Sequence, residues 1–281
     1  MKISGKTILL AIAGTAAAFQ AAAVIDLDYY SRLQGLKGAS LKTAVHEILT
    51  ENVSMLDYGS GKNATWWGFY VTDQCDDGSA RDRYSNDVRY FGDRGYAPSG
   101  MNIEHSFPKS WWGGSENNAY KDLFNLMPSE IKINSTKSNY PMGIVLRTTP
   151  SGDNGCTRVG SGDDGNNYWE PADKWKGDFA RSYMYMATAY QDFTWTNNQG
   201  KIILTTGAYP TLQSWASELY IQWAKQDPVD QIETRRNDDV ETFQRNRNPF
   251  VDFPNLMEYI WGDSIGQSFN VKTTVKSAAF V

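Results

Sequence analysis

Histidine is almost absent from this 281-residue chain, which has two, His46 and His105. Imidazole general-base chemistry at neutral pH must therefore pass through one of them. Cysteine is as scarce: Cys75 and Cys156 allow at most one bridge. Basic residues are in deficit, 27 Lys and Arg against 32 Asp and Glu, for a formal charge of −5. That balance argues against ordinary nucleic-acid binding, in which clustered Lys and Arg carry the affinity for phosphate. Repeats, linkers and long low-complexity stretches are missing between residues 41 and 262. The chain therefore reads as one domain, residues 24–263, large enough to bury a substantial core.

The first 23 residues hold Lys2 and Lys6, an apolar run over residues 8–19, and the small-residue stretch Gln20-Ala21-Ala22-Ala23. This is the pattern of a secretory signal peptide rather than a transmembrane anchor, and it directs the protein to the periplasm or the exterior. No cysteine follows the cleavage point, which argues against a lipid anchor there. Removal of the segment leaves 25 basic and 32 acidic residues, a charge of −7. In an oxidising compartment the even cysteine count predicts a Cys75–Cys156 disulfide. Closing that 81-residue separation would contribute about 4 kcal/mol if unstrained.

Helical spacing is clear in several places. Leu41, Ala44, Val45, Ile48 and Leu49 form a stripe behind Ser40 as N-cap, with His46 off the stripe and structural. Phe179, Ala180, Tyr183, Met184 and Ala187 form a second stripe, and Leu212, Trp215, Ala216, Leu219 and Trp223 a third. After Pro228, read as a helix-starting residue, Ile232, Arg236, Val240 and Phe243 share a face. An arginine inside an apolar stripe needs a buried partner, so Arg236 reads as structural. Residues 151–167, rich in Gly and Asp, read as a long surface loop without calcium-loop spacing, and residues 264–281 as an aperiodic tail. The 38 aromatic residues suit core packing, with Trp111 and Trp112 as candidates for stacking on bases.

One of the two histidines stands beside a carboxylate, in Asn102-Ile103-Glu104-His105-Ser106-Phe107-Pro108. Downstream run Asp122-Leu123-Phe124-Asn125-Leu126-Met127-Pro128-Ser129 and Ile133-Asn134-Ser135-Thr136-Lys137-Ser138-Asn139-Tyr140-Pro141. Hydrolysis of a phosphodiester needs a deprotonated water, neutralised phosphate oxygens and a stabilised leaving alkoxide. One neutral imidazole and one hard divalent cation on oxygen ligands can supply all three. Residues 101–147 are also less acidic than the rest, with five basic and four acidic side chains. Adjacent strand residues face opposite ways, so Glu104 and His105 require a bulge or a strand end.

Together these segments resemble the bacterial endonuclease I family of secreted, non-specific nucleases. The likeness extends to Arg83-Tyr84-Ser85, Glu170-Pro171-Ala172-Asp173, Arg235-Arg236-Asn237 and Asn246-Arg247-Asn248-Pro249-Phe250. It implies an α+β fold, with a ββα-metal (His-Me) finger surrounded by helices. It further implies His105 as general base, and Glu104 and Asn134 as ligands of Mg²⁺ or another hard cation such as Mn²⁺ or Ca²⁺. The substrate would be double- and single-stranded DNA, with RNA as a further one, cut by a monomer without base readout to leave 5′-phosphates. Where some relatives carry an arginine, this chain reads Gly113-Gly114-Ser115-Glu116-Asn117-Asn118. The phosphate-stabilising cation must then come from Lys109, Lys137 or Arg181. Asn139 reads as a loop organiser or phosphate contact, and Asn125 as a backbone partner. A secreted glycosidase or an aromatic-faced binding module are rival readings, but both leave Glu104, His105 and Asn134 without a role.

Overall fold

The computed structural model describes residues 25–274 and Lys276; residues 1–23, read as a signal peptide, lie outside them. In chain order the helices are α1 Gly38–Thr50, α2 Thr65–Thr72, α3 Asn118–Lys121, α4 Ile131–Lys137, α5 Lys176–Ala189, α6 Asn198–Lys201, α7 Ser214–Gln226, α8 Gln231–Gln244, α9 Pro249–Asp252 and α10 Leu256–Ile260. The strands are β1 Met101–His105, β2 Leu126–Glu130, β3 Arg147–Asp153, β4 Arg158–Ser161 and β5 Asn167–Glu170. This is a mixed helix-and-sheet architecture in which β1 and β2 form an antiparallel pair and β3, β4 and β5 an antiparallel meander.

α5 is buried from end to end, with α1 and α7 packed on it. A helix enclosed on all sides must pair whatever charge it carries. Asp178 and Arg181 on α5 do so through a ladder that crosses the core. Arg236 Nε and Arg83 Nη1 both donate to Asp73 Oδ1, at 2.9 and 2.8 Å. Arg83 Nε continues to Asp178 Oδ2 at 3.0 Å, and Arg181 Nε closes on Glu233 Oε1 at 2.7 Å. Arg236 has the buried partner that its place in an apolar stripe demanded. Aromatic edges fill the space beside α5: Phe107 meets Trp111, Tyr183 and Trp195 with ring centres 4.7, 5.2 and 5.6 Å apart.

Several boundaries differ from the sequence reading. α1 begins at Gly38, and Ser40 lies inside its first turn with its hydroxyl on the Lys37 carbonyl. α8 is capped by Asp230, whose carboxylate accepts from the Glu233 amide; Pro228 lies before the cap. The stretch 151–167 is not a loop throughout, because it contains the end of β3 and all of β4. The Asn154 side chain accepts from the amides of Cys156 and Thr157 and turns one strand into the next. Beyond Asp263 the chain is seated: Phe269 is fully buried and exchanges backbone hydrogen bonds with Gly35 and Leu36.

The expected disulfide is absent, and Cys75 and Cys156 are both free. Cys75 is held in a tight turn by the Gly78 amide on its carbonyl, whereas the buried Cys156 thiol is directed at the Arg83 carbonyl, 3.6 Å away. Burial raises the Cys156 thiol above its ordinary range. Iodoacetamide should therefore label Cys75 alone in folded protein and both cysteines after denaturation. Intact mass spectrometry checks this, and no label before reductant would mean that a bridge exists.

Candidate active site

β1 and β2 run in unbroken register from Met101↔Glu130 to His105↔Leu126. α4 follows β2 directly, because the Glu130 carboxylate caps it by accepting from the Ile133 amide at 2.8 Å. The helix packs on both strands. Asn102 and Glu104, two residues apart on β1, share a face, and Asn134 and Lys137, one turn apart on α4, meet them. Asn134 Nδ2 donates to Asn102 Oδ1 at 2.8 Å. Lys137 Nζ donates to Glu104 Oε1 at 2.7 Å and to the Ser106 carbonyl at 3.2 Å.

His105 is the last residue of β1, so a strand end, without a bulge, resolves the opposite facing of adjacent side chains. Its Nε2 lies 3.0 Å from the Tyr120 carbonyl. A carbonyl only accepts, so Nε2 bears the proton and Nδ1 keeps a lone pair. The imidazole is stacked by Tyr58 with centres 5.5 Å apart and flanked by Tyr120 at 4.6 Å. Burial pushes its pKa down to about 3; Lys109 and Lys137 act in the same direction and the Tyr120 carbonyl against it. Burial likewise lifts Glu104 above the usual carboxylate range, against the pull of Lys137.

A profile of the family described as Endonuclease I matches residues 37–255. The chain belongs to the endonuclease I family. It is 32% identical over 273 residues to the extracellular ribonuclease of Bacillus subtilis (strain 168), covering 92% of this chain and 85% of that protein. It is 30% identical over 247 residues to the extracellular ribonuclease of Bacillus amyloliquefaciens, covering 83% and 78%. As an endonuclease I family member the protein is a nuclease, a hydrolase of phosphodiesters. Among its described residues no helix is long and apolar enough to cross a membrane.

The other sequence-predicted residues of this nuclease divide sharply. Arg181, buried at 1% exposure and paired with Glu233 and Asp178, is a core residue and not a phosphate contact. Lys137 is also buried and engaged by Glu104, so its charge faces inward. Lys109 is exposed, donates to the Tyr120 hydroxyl at 2.9 Å, and lies 4.6 Å from the centre of that ring. Trp111 is completely buried, with its indole N–H on the Asn139 carbonyl, so it packs the core and does not stack on bases. Asn139 is a loop organiser, donating to Ser110 Oγ at 3.2 Å. Asn125 bonds the Phe107 backbone from both ends of its amide, holding the chain just past His105.

Three groups at this site escaped the sequence reading. Asn102 was legible in principle, because the two-residue period of a strand places it on the Glu104 face. Tyr58 comes from a glycine-rich loop with nothing to mark it. The Tyr120 carbonyl is main chain and has no signature in any side chain.

Proposed function

We propose that the protein is an exported, metal-dependent nuclease that cuts DNA and RNA with little regard to sequence and leaves 5′-phosphates. The observation that carries this reading is the buried His105, tied through Nε2 to the Tyr120 carbonyl so that Nδ1 is free to take a proton, directly beside Glu104. Export rests on the first 23 residues and on two relatives named extracellular. RNA enters as a substrate because those relatives are named ribonucleases.

In this reading His105 Nδ1 accepts the proton of the attacking water. The β1–β2 pair with α4 across it serves as the ββα-metal finger. Glu104 and Asn134 suit a hard cation, since one is a carboxylate and the other, with Nδ2 committed to Asn102, has its amide oxygen to offer. Among the described residues no cluster of three or more His, Cys, Asp or Glu would hold an ion unaided, so water and phosphate would complete the shell. Bound there, Mg²⁺ would neutralise charge on the phosphate oxygens and the leaving alkoxide. Lys137 aims Glu104 and opposes the rise in its pKa that burial causes. Lys109 takes the part left open by the missing arginine, because Lys137 and Arg181 are enclosed in ion pairs while it stands exposed near His105 and Glu104.

The test is incubation of purified protein with supercoiled plasmid and with unstructured RNA at low salt, with Mg²⁺ and then with excess EDTA. Cleavage of both substrates that stops on chelation is expected; intact substrates with Mg²⁺, or undiminished cleavage with EDTA, would overturn the reading. Lys109→Ala should lower kcat/KM on either polymer by on the order of tenfold, since one exposed cation facing phosphate is removed. Steady-state kinetics in parallel with wild type checks it, and an unchanged value returns Lys109 to the solvated surface.

A further inference from the structure

We infer that Arg94, whose guanidinium lies over the Trp67 ring, and Tyr96, two residues on in the same turn, form a stacking subsite for unpaired bases, apart from the residues that cut. The inference rests on the nuclease reading and names the part of the substrate this surface holds.

Arg94 lies in the turn that the Tyr96 amide closes on the Asp93 carbonyl at 3.3 Å. Gly95 in that turn has φ +98°, and an added Cβ would sit 2.9 Å from the Gly61 carbonyl oxygen. The Gly61 amide in turn donates to the Gly95 carbonyl at 2.8 Å, which locks the turn to the loop carrying Tyr58. Since Tyr58 stacks on His105, this surface lies one loop away from the candidate base.

The turn sets the Arg94 guanidinium 4.0 Å from the Trp67 ring centre and 5.9 Å from that of Tyr70. Its Nε reaches the Trp67 carbonyl at 3.4 Å. Arg83, Arg181, Arg236 and Arg247 are all buried in ion pairs, whereas Arg94 is half-exposed and, among the described residues, pairs with no carboxylate. Tyr96 is 60% exposed, while Trp111 and Trp112 are buried, so Tyr96 offers an aromatic surface that the two tryptophans do not. Half-exposed above the indole, this guanidinium leaves part of its surface to solvent, and planar cations stack on bases of any sequence. Asp93 in the same turn offsets the formal charge, so the patch favours stacking over attraction to a duplex backbone.

Fluorescence anisotropy of a labelled 15-nucleotide oligothymidylate, and of the same strand in a duplex, in EDTA at low salt, tests this. Arg94→Ala should weaken single-strand binding about tenfold and duplex binding less than twofold, within the usual worth of one stacked base. Arg94→Lys keeps the charge but not the plane and should recover only a small part of the loss, and Tyr96→Ala should weaken single strands alone. With Mg²⁺, Arg94→Ala should raise KM on single strands with kcat unchanged. Equal binding by wild type, Arg94→Ala and Tyr96→Ala, or full recovery by Arg94→Lys, would overturn the subsite. Wild-type protein that cuts nothing would instead overturn the nuclease reading, which the anisotropy series does not depend on.

Discussion

His105→Ala is expected to lower kcat on plasmid and RNA by about 10²- to 10⁴-fold, the usual worth of a positioned general base. The substitution also leaves the buried Tyr120 carbonyl without its donor, so a stability loss of about 1–3 kcal/mol accompanies it. Circular dichroism and thermal melting separate the two effects, because a protein still folded at the assay temperature loses rate through chemistry alone. His46→Ala is the control. Its Nδ1 lies 3.2 and 3.0 Å from the carbonyls of Thr188 and Ala189 at the end of α5 and its Nε2 3.3 Å from Asp192. Removing that cap should cost about 1 kcal/mol of stability and leave kcat within twofold. Equal losses of activity in the two variants would end the assignment of His105 as the base.

Asp73→Ala should destabilise the protein by about 3–5 kcal/mol, because it leaves the buried Arg236 without a carboxylate and Arg83 with Asp178 alone. Burial alone would raise the Asp73 carboxyl, but the charges of Arg236 and Arg83 outweigh it and bring the pKa down to about 2. A carboxyl depressed in the folded state stabilises above its unfolded value, about 3.9, and that contribution fades as pH falls toward 2. Urea unfolding of wild type and Asp73→Asn should therefore differ most above about pH 4 and converge as pH drops to about 2. A difference constant across that range would show that Asp73 is not ionised in the fold.

Residues of the candidate site were more legible than the groups that hold them. With two histidines in the chain, Glu104-His105 could be singled out by residue type, whereas Asn134, one of many asparagines, came only from the resemblance to the family; helical periodicity exposed α1, α5, α7 and α8. Cation roles were not legible, because whether a lysine or arginine meets phosphate or carboxylate depends on partners far along the chain. Lys137 is claimed by Glu104 and Arg181 by Glu233, separations of 33 and 52 residues. Tandem tryptophans look the same in sequence whether they face water or, as with Trp111, the core. The stretch 151–167 reads as loop from its Gly and Asp content, yet those residues make the turns between strands.

Helices remote in sequence hold the segment that follows His105. Tyr183 on α5 donates to the Ser106 carbonyl and Ser182 to that of Phe124, at 2.7 Å each. Arg236 on α8 donates to the carbonyls of Leu123 and Leu126, and Gln244 accepts from the Leu123 amide. The hairpin and helix spanning residues 101–137 are therefore not a portable module. Grafted into another scaffold or expressed alone, they would keep the motif and lose the braces that aim it, so a minimised version of this nuclease would have to carry α5 and α8 with it.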